Sequence, residues 1–141
     1  MSRGFLLDTN VVSELIRGSP DAGVIGAMEK HRGEMAIGAP VWHELCFGCD
    51  RLPRSRRRRL LERWLTDVVA ASLPVLPYDA GAAAWHAAER ARLSRRGRLA
   101  PFVDGQIAAI AATNDLILVT ANRKDFARFR GLAVEDWLTR S

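Results

Sequence analysis

Cysteine is scarce in this sequence, with two residues in 141. Two cysteines cannot build a disulfide framework, so a packed core must hold the fold together. Cys46 and Cys49 have CxxC spacing, but no second pair supplies the roughly four ligands of a structural zinc site. We therefore expect two buried thiols on a helix. No stretch near the N-terminus resembles a signal peptide, which favours a reducing cytoplasm as the location.

Long apolar runs and several familiar motifs are missing as well. No segment approaches the ~20 apolar residues that span a bilayer, so we expect no membrane association. The sequence has neither GxGxxG nor GxxxxGK[ST], which leaves dinucleotide-binding and P-loop functions without support. His43 and Glu44 do not begin an HExxH zinc motif, because Phe47 occupies the position of the second histidine.

The composition that remains is typical of a globular protein, with 48% hydrophobic and 26% charged residues. A chain of 141 residues is long enough for one sizeable core, so we expect a single domain over 1–141. The net charge of +5 favours polyanionic partners, nucleic acids among them. Carboxylates that gather in a binding cleft of such a protein need a specific reason to be there.

Alternating apolar and amphipathic segments predict an α/β protein. Short buried strands are predicted over 5–7, 35–37, 74–76, 116–119 and 132–134. Helices are predicted over 11–17, 20–31, 40–51, 55–71, 79–95 and 124–129, and another begins at Pro101. Strands that alternate with helices form βαβ units, so we expect a parallel sheet with helices on both faces.

Four acidic residues follow the ends of these predicted strands. Asp8 ends the first strand, and Asp125 lies just after the last long strand, which ends at Thr120. Glu44 and Asp104 fall near the starts of two helices. Because ligands of open parallel sheets bind beyond the carboxyl ends of the strands, we expect all four acids at one sheet edge.

Carboxylates that share a cleft raise one another's pKa values unless a cation is present. Oxygen ligands of this kind select Mg²⁺ or Mn²⁺, which can activate water and neutralise a phosphodiester. We expect Asp8 and Asp104 to be the primary metal ligands, and Glu44 and Asp125 to complete the site or orient the water. Taken singly, each acid has a plainer explanation as a helix cap or a partner of the helix dipole.

Four blocks of sequence resemble PIN-domain ribonucleases, particularly the VapC and FitB-like toxins of bacterial toxin–antitoxin pairs. In order along the chain they are LDTNVVSEL at 7–15, WHEL at 42–45, FVDGQIA at 102–108 and VTANRKDF at 119–126. The resemblance extends from Phe5 to the last predicted strand. Four blocks in the same order make it far more specific than the opening block alone.

The resemblance implies a PIN fold and RNA cleavage dependent on Mg²⁺ or Mn²⁺. It assigns the catalytic acids to Asp8, Glu44, Asp104 and Asp125, and gives the Thr120 hydroxyl a positioning role. Many PIN domains have an acid where this chain has Asn122, so the resemblance leaves a second metal open. It further implies a cognate antitoxin whose tail wraps the toxin, a homodimer, and toxin–antitoxin hetero-oligomers.

Two basic segments can each be interpreted as a solvated surface or as a contact with RNA. Arg54 and Arg56–Arg59 begin an amphipathic helix and form either a solvated face or a contact with RNA phosphates. Arg95, Arg96 and Arg98 precede the Asp104 block, and we favour these for guiding substrate. We expect Trp85 and Trp137 to be core or interface anchors. The functional alternatives are a non-catalytic PIN-like module that binds RNA or protein, and a metal-dependent nuclease that cuts DNA.

Overall fold

The computed structural model describes residues 3–139, so both ends of the predicted 1–141 domain lie outside the described residues. Its centre is a sheet in which every pair of neighbouring strands is parallel, as predicted. The strands are β1 (Phe5–Leu7), β2 (Met35–Gly38), β3 (Val75–Leu76), β4 (Ile117–Val119) and β5 (Val134–Glu135). They lie in the order β3-β2-β1-β4-β5.

Helices connect the strands close to where the sequence places them. They are α1 (Thr9–Val12), α2 (Ala22–Lys30), α3 (Ala39–Asp50), α4 (Arg56–Trp64), α5 (Ala70–Ser72), α6 (Ala80–Arg95), α7 (Phe102–Thr113) and α8 (Arg123–Phe126). Several predictions were wrong in detail. The helix predicted over 124–129 covers Arg123–Phe126, and the strand predicted over 132–134 covers Val134–Glu135. The helix predicted over 11–17 begins at Thr9, because Asp8 caps it, and continues as a 3₁₀ turn over Ser13–Ile16. The helix predicted over 55–71 contains a π-helical turn over Leu65–Val69.

The central strands β1 and β4 are apolar because both faces of the sheet are covered there. Leu6, Leu7, Leu118 and Val119 are fully buried. Helix α7 packs most of its length into this core, and α6 packs against α7 so closely that a methyl group at Gly105 would overlap the imidazole of His86. Within the described residues no helix is long and apolar enough to cross a membrane.

The strand order creates a topological switch point. The chain moves from β1 to β2 and β3 on one side of the sheet, then returns to β4 and β5 on the other side of β1. Since parallel crossovers are right-handed, connections that move in opposite directions lie on opposite faces. The carboxyl ends of β1 and β4 therefore border the crevice where open α/β sheets bind their ligands.

Candidate active site

Asp8 is the residue at which β1 ends and α1 begins. Its Oδ1 accepts a hydrogen bond from the backbone N–H of Thr9 at 2.8 Å, which caps the helix. Its Oδ2 accepts from the Thr120 hydroxyl at 2.8 Å and from the Asn10 amide at 3.3 Å. Asp8 is 7% exposed and Thr120 is fully buried. The carboxylate is thus both a helix cap and a group held across the switch point by the residue that follows β4.

The environment of Asp8 opposes its ionisation. Burial raises the pKa of the Asp8 carboxyl, and the negative charge of Glu44 raises it further. The hydrogen bonds from Thr120 and Thr9 act in the opposite direction but do not cancel the effect of burial. A buried carboxylate with a raised pKa beside a second acid is the arrangement that a bound cation would stabilise.

Asp104 lies in the first turn of α7 and is half-buried. Burial raises its pKa, and the charges of Asp8 and Asp125 add to the effect. Glu44 contributes in the same direction, while the guanidinium of Arg128 partly opposes the increase. The four predicted acids therefore come from distant parts of the chain into one electrostatic environment.

Glu44 and Asp125 are the exposed members of this group. Glu44, on α3, accepts a hydrogen bond from the Thr9 hydroxyl at 2.6 Å, so the residue after Asp8 also orients Glu44. Asp125 lies on α8, which begins after Asn122. The Asn122 side chain does not cap that helix. The backbone N–H of Asn122 donates to the Thr120 hydroxyl oxygen at 3.0 Å.

The donor set suits a hard divalent cation, since carboxylate oxygens are the ligands that Mg²⁺ and Mn²⁺ prefer. The side chains do not yet form a coordination sphere. Within residues 3–139 no group of three or more His, Cys, Asp or Glu side chains is close enough to hold an ion. Among these residues the acids therefore share an electrostatic field without forming a ready-made ion site.

The structure also places the two cysteines and the two tryptophans for which the sequence predicts structural roles. Cys46 and Cys49 are free thiols on α3, and burial raises the pKa of both. Cys49 is buried as predicted, whereas the prediction was wrong for Cys46, which is only half-buried. Trp137 is a core residue with an edge-to-face contact to Phe5, and Trp85 packs beside Phe129.

The two basic segments differ in how many of their side chains are engaged. Arg58 donates to the Leu52 carbonyl and to Glu62, so part of the first segment is structural. The side chains of Arg95, Arg96 and Arg98 are exposed where α6 ends. Their role in guiding substrate stays a prediction.

Three residues of the site were not predicted from the sequence. Thr9 and Asn10 lie inside the quoted block at 7–15, and their polarity beside Asp8 was a usable signal. Arg128 lies in none of the four blocks, and nothing in the sequence distinguishes it from the many other arginines. It is recognisable only from its position near Asp104.

The fold and the acid-lined crevice place this chain in a known class of proteins. Residues 5–132 match the family model described as PIN domain, and the chain belongs to that family. Its relatives within the family are VapC and FitB proteins. It is 36% identical to the tRNA(fMet)-specific endonuclease VapC of Shigella flexneri, over 94% of this chain and 97% of that protein.

Two solved structures show the same likeness in three dimensions. FitAcB from Neisseria gonorrhoeae superimposes with a TM-score of 0.85 and 28% identity, covering 92% of this chain and 95% of that chain. VapBC-5 from Mycobacterium tuberculosis, a member of the VapBC family of toxin-antitoxin systems, superimposes with a TM-score of 0.70 and 28% identity, covering 98% and 100%. The predicted PIN fold and the resemblance to VapC and FitB toxins are confirmed.

A stability measurement can detect the charge repulsion in this site. Because the folded-state pKa of Asp104 lies above its unfolded value, its ionisation destabilises the fold, fully above the folded pKa and not at all below the unfolded one. We expect Asp104→Asn to raise the Tm of the metal-free protein in EDTA at pH 7.5 by about 2–5 °C. The gain should shrink as the pH approaches 4, and differential scanning calorimetry at both pH values measures it.

Mg²⁺ provides the matching control for this measurement. Millimolar Mg²⁺ should raise the Tm of the wild type more than that of Asp104→Asn, since a ligand of the native state stabilises it. A lower Tm for Asp104→Asn in EDTA would show that the favourable contact of Asp104 with the α7 dipole outweighs the repulsion.

Proposed function

We propose that this protein is a metal-dependent endoribonuclease that acts as the toxin of a toxin–antitoxin pair. The observation that carries the proposal is the buried Asp8 carboxylate, which Thr120 holds at the switch point within the electrostatic reach of Glu44 and Asp104. The sequence likeness to a VapC endonuclease supports the reaction. The single domain over 1–141 and the action in the cytoplasm are parts of the same proposal.

In this mechanism Asp8 and Asp104 would be the primary ligands of Mg²⁺ or Mn²⁺, and Glu44 and Asp125 would complete the site. Such an ion would lower the pKa of a bound water and neutralise charge on the scissile phosphate. Thr120 fixes the orientation of Asp8, and Thr9 fixes that of Glu44. Because the pKa values of Asp8 and Asp104 are raised, protonation of these carboxyls would compete with ion binding, which would weaken as the pH falls.

The partners we propose are an RNA substrate, a cognate antitoxin and a second copy of this chain. The relatives named above include an endonuclease specific for tRNA(fMet) and a member of a toxin-antitoxin family. A groove is lined by Thr9 and Glu44 of the acid site and by Leu61, Trp64 and Leu65. An antitoxin segment in this groove would lie beside Glu44.

A cleavage assay with matched substrates tests the reaction. The purified protein, freed from any antitoxin, is incubated with total cellular RNA and with single-stranded DNA, each with Mg²⁺, Mn²⁺ or excess EDTA. We expect internal cuts in RNA with either metal and none in EDTA. The carboxylates serve to bind the ion, and the ion is needed to activate the attacking water. DNA should stay intact.

The other outcomes separate the alternatives. RNA that binds without being cut would favour the non-catalytic module, and equal cutting of both polymers would favour a nuclease without preference for RNA. Cleavage that persists in EDTA would contradict the metal-dependent mechanism. Intact RNA in all conditions, with no calorimetric signal for Mg²⁺ or Mn²⁺, would remove the enzyme proposal.

A further inference from the structure

Phe47 is the most exposed large apolar side chain among residues 3–139, with 57% of its surface open to solvent. It lies on α3, whose opposite face packs Val41, Leu45 and Cys49 into the core. A single exposed ring is ordinary on a protein surface. What Phe47 can do therefore depends on the groups that surround it.

Two other exposed side chains lie in one row with this ring. His43, Phe47 and Arg51 follow one another at four-residue spacing along the outer face of α3, and we call them the α3 ridge. The His43 and Phe47 rings are nearly parallel, with planes 13° apart and centroids 6.2 Å apart. The guanidinium carbon of Arg51 lies over the Phe47 ring, 5.8 Å from its centroid, where a cation is attracted to the π system. The ring is thus oriented by one neighbour on each side along the helix.

The α3 ridge begins at the acid site. Glu44 precedes Phe47 by three residues, so the two side chains are neighbours on the helix surface, with about 5–6 Å between their Cβ atoms. The groove that Glu44 borders is also bordered by Arg51 and by Arg57 of α4. A strand that is bound at the acids and continues along α3 would pass Phe47 first and these arginines next.

The charges along this path favour a polyanion. Asp50 and Glu62 are near the ridge, but both pair with Arg58. Among residues 3–139 no acidic side chain forms an ion pair with Arg51. Four more exposed arginines follow around the start of α4: Arg54, Arg56, Arg57 and Arg59.

An exposed aromatic ring beside uncommitted arginines is the combination that holds single-stranded nucleic acid. Bases stack on the ring, and guanidinium groups bind the phosphates. A duplex cannot use such a ring, because its bases are already stacked on one another. A single strand matches both the ring and the charge, whereas an apolar protein segment would match only the ring.

We propose that the α3 ridge binds the RNA strand next to the cutting site, with a base stacked on Phe47 and a phosphate held by Arg51. The inference rests on the proposed ribonuclease function and adds a substrate preference to it, namely an unpaired segment of RNA. Because every base has a face that can stack, this contact selects unpaired structure and not a particular sequence.

RNA binding tests the stacked base. Fluorescence anisotropy with Mg²⁺ gives the Kd of a labelled oligoadenylate for Asp104→Asn and for the same variant combined with Phe47→Leu. We expect Phe47→Leu to raise the Kd roughly 5- to 100-fold, the scale for the loss of one stacked base. Phe47→Tyr should keep the affinity, because tyrosine retains the ring. Leucine is tolerated at an exposed position, so the Tm should not change.

An oligomer with the same sugar–phosphate backbone but without bases separates stacking from charge. Its Kd should not respond to Phe47→Leu, since leucine removes no charge. Equal weakening of both oligomers would indicate a structural role for the ring and would overturn the proposal. An unchanged Kd for oligoadenylate would also overturn it and would leave Phe47 as a contact for a protein partner. So would a failure of Asp104→Asn to bind oligoadenylate at all.

Salt dependence tests the phosphate contact. In a KCl series without divalent ions, Arg51→Gln in the same background should lower the slope of log K against log salt by about 0.7, as for one lost phosphate contact. Phe47→Leu should leave the slope unchanged. Arg32→Gln is the matched control, because Arg32 is exposed in the turn before β2, at the opposite edge of the sheet. An unchanged slope for Arg51→Gln, or an equal fall for Arg32→Gln, would overturn the proposal.

The two proposals fail in different ways. If the wild type cuts no RNA, the ribonuclease function is wrong, and the binding measurements still report whether the α3 ridge holds a single strand. If the wild type cuts RNA and neither Phe47→Leu nor Arg51→Gln changes binding, the function stands and only the role of the ridge is wrong.

Discussion

Asp104→Asn is expected to reduce RNA cleavage by at least about two orders of magnitude, because a metal ligand contributes several kcal/mol of charge stabilisation in the transition state. The amide is nearly isosteric with the carboxylate and keeps the first turn of α7 intact. It removes the negative charge of the Asp104 carboxylate, whose pKa the charges of Asp8 and Asp125 raise. The rate with Mg²⁺, measured on RNA under single-turnover conditions, gives the effect.

The chain offers a matched control just beyond the other end of the same helix. Asp115 follows α7 at its opposite end, is exposed, and has a positive φ of 54°, a conformation that asparagine tolerates well. Asp115→Asn makes the same chemical change away from the crevice and should cleave RNA at the wild-type rate. Equal losses for Asp104→Asn and Asp115→Asn would point to a general effect of charge.

Asp8→Asn tests the other proposed primary ligand while keeping the cap of α1. Asparagine caps helices about as well as aspartate, so α1 should still begin at Thr9. We expect a loss similar to that of Asp104→Asn. Induced expression gives a second measurement: growth arrest with the wild type and none with either variant. Equal toxicity of Asp104→Asn and the wild type would remove Asp104 from the mechanism.

The parallel sheet could be predicted because its strands are short, apolar and bounded by polar residues. Leu6, Leu7 and Leu118 are fully buried, as continuous apolar runs require when helices cover both faces. The place of Asp8 and Thr120 at one edge followed from the general position of ligands in parallel sheets. The strand order added what the sequence could not show, namely that β1 and β4 are neighbours.

Contacts between distant side chains set the limit of prediction. The Thr9–Glu44 hydrogen bond joins residues 35 positions apart, and the Arg128–Leu99 bond joins residues 29 positions apart. Neither pair has a local signal, since each depends on how distant segments of the chain pack.

Thr120→Val should weaken metal binding without disturbing the core. Valine has the shape of threonine, and the position is fully buried beside β4. In the wild type, the Thr120 hydroxyl donates to Asp8 Oδ2 and stabilises the ionised carboxylate. The variant loses this hydrogen bond, and the backbone N–H of Asn122 loses its acceptor. We expect the apparent affinity for Mg²⁺ to fall roughly 10- to 100-fold, as for the loss of other groups that orient metal ligands.

The pH profile reveals whether the effect passes through Asp8. A hydrogen bond to the ionised form lowers the pKa, so its removal raises the pKa of Asp8 further and shifts the acidic limb of the rate profile to higher pH. Saturating Mg²⁺ should recover much of the rate, and Thr120→Ser should restore both affinity and profile, because serine keeps the hydroxyl.

Thr113→Val is the control for this series, since the Thr113 hydroxyl donates to the Ala109 carbonyl within α7 and makes no contact with the acids. It should leave both the Mg²⁺ affinity and the pH profile as in the wild type. An unchanged Mg²⁺ dependence in Thr120→Val would mean that Asp8 does not need this hydroxyl for its orientation. Its place at the switch point would then come from the backbone of β1 and the cap of α1 alone.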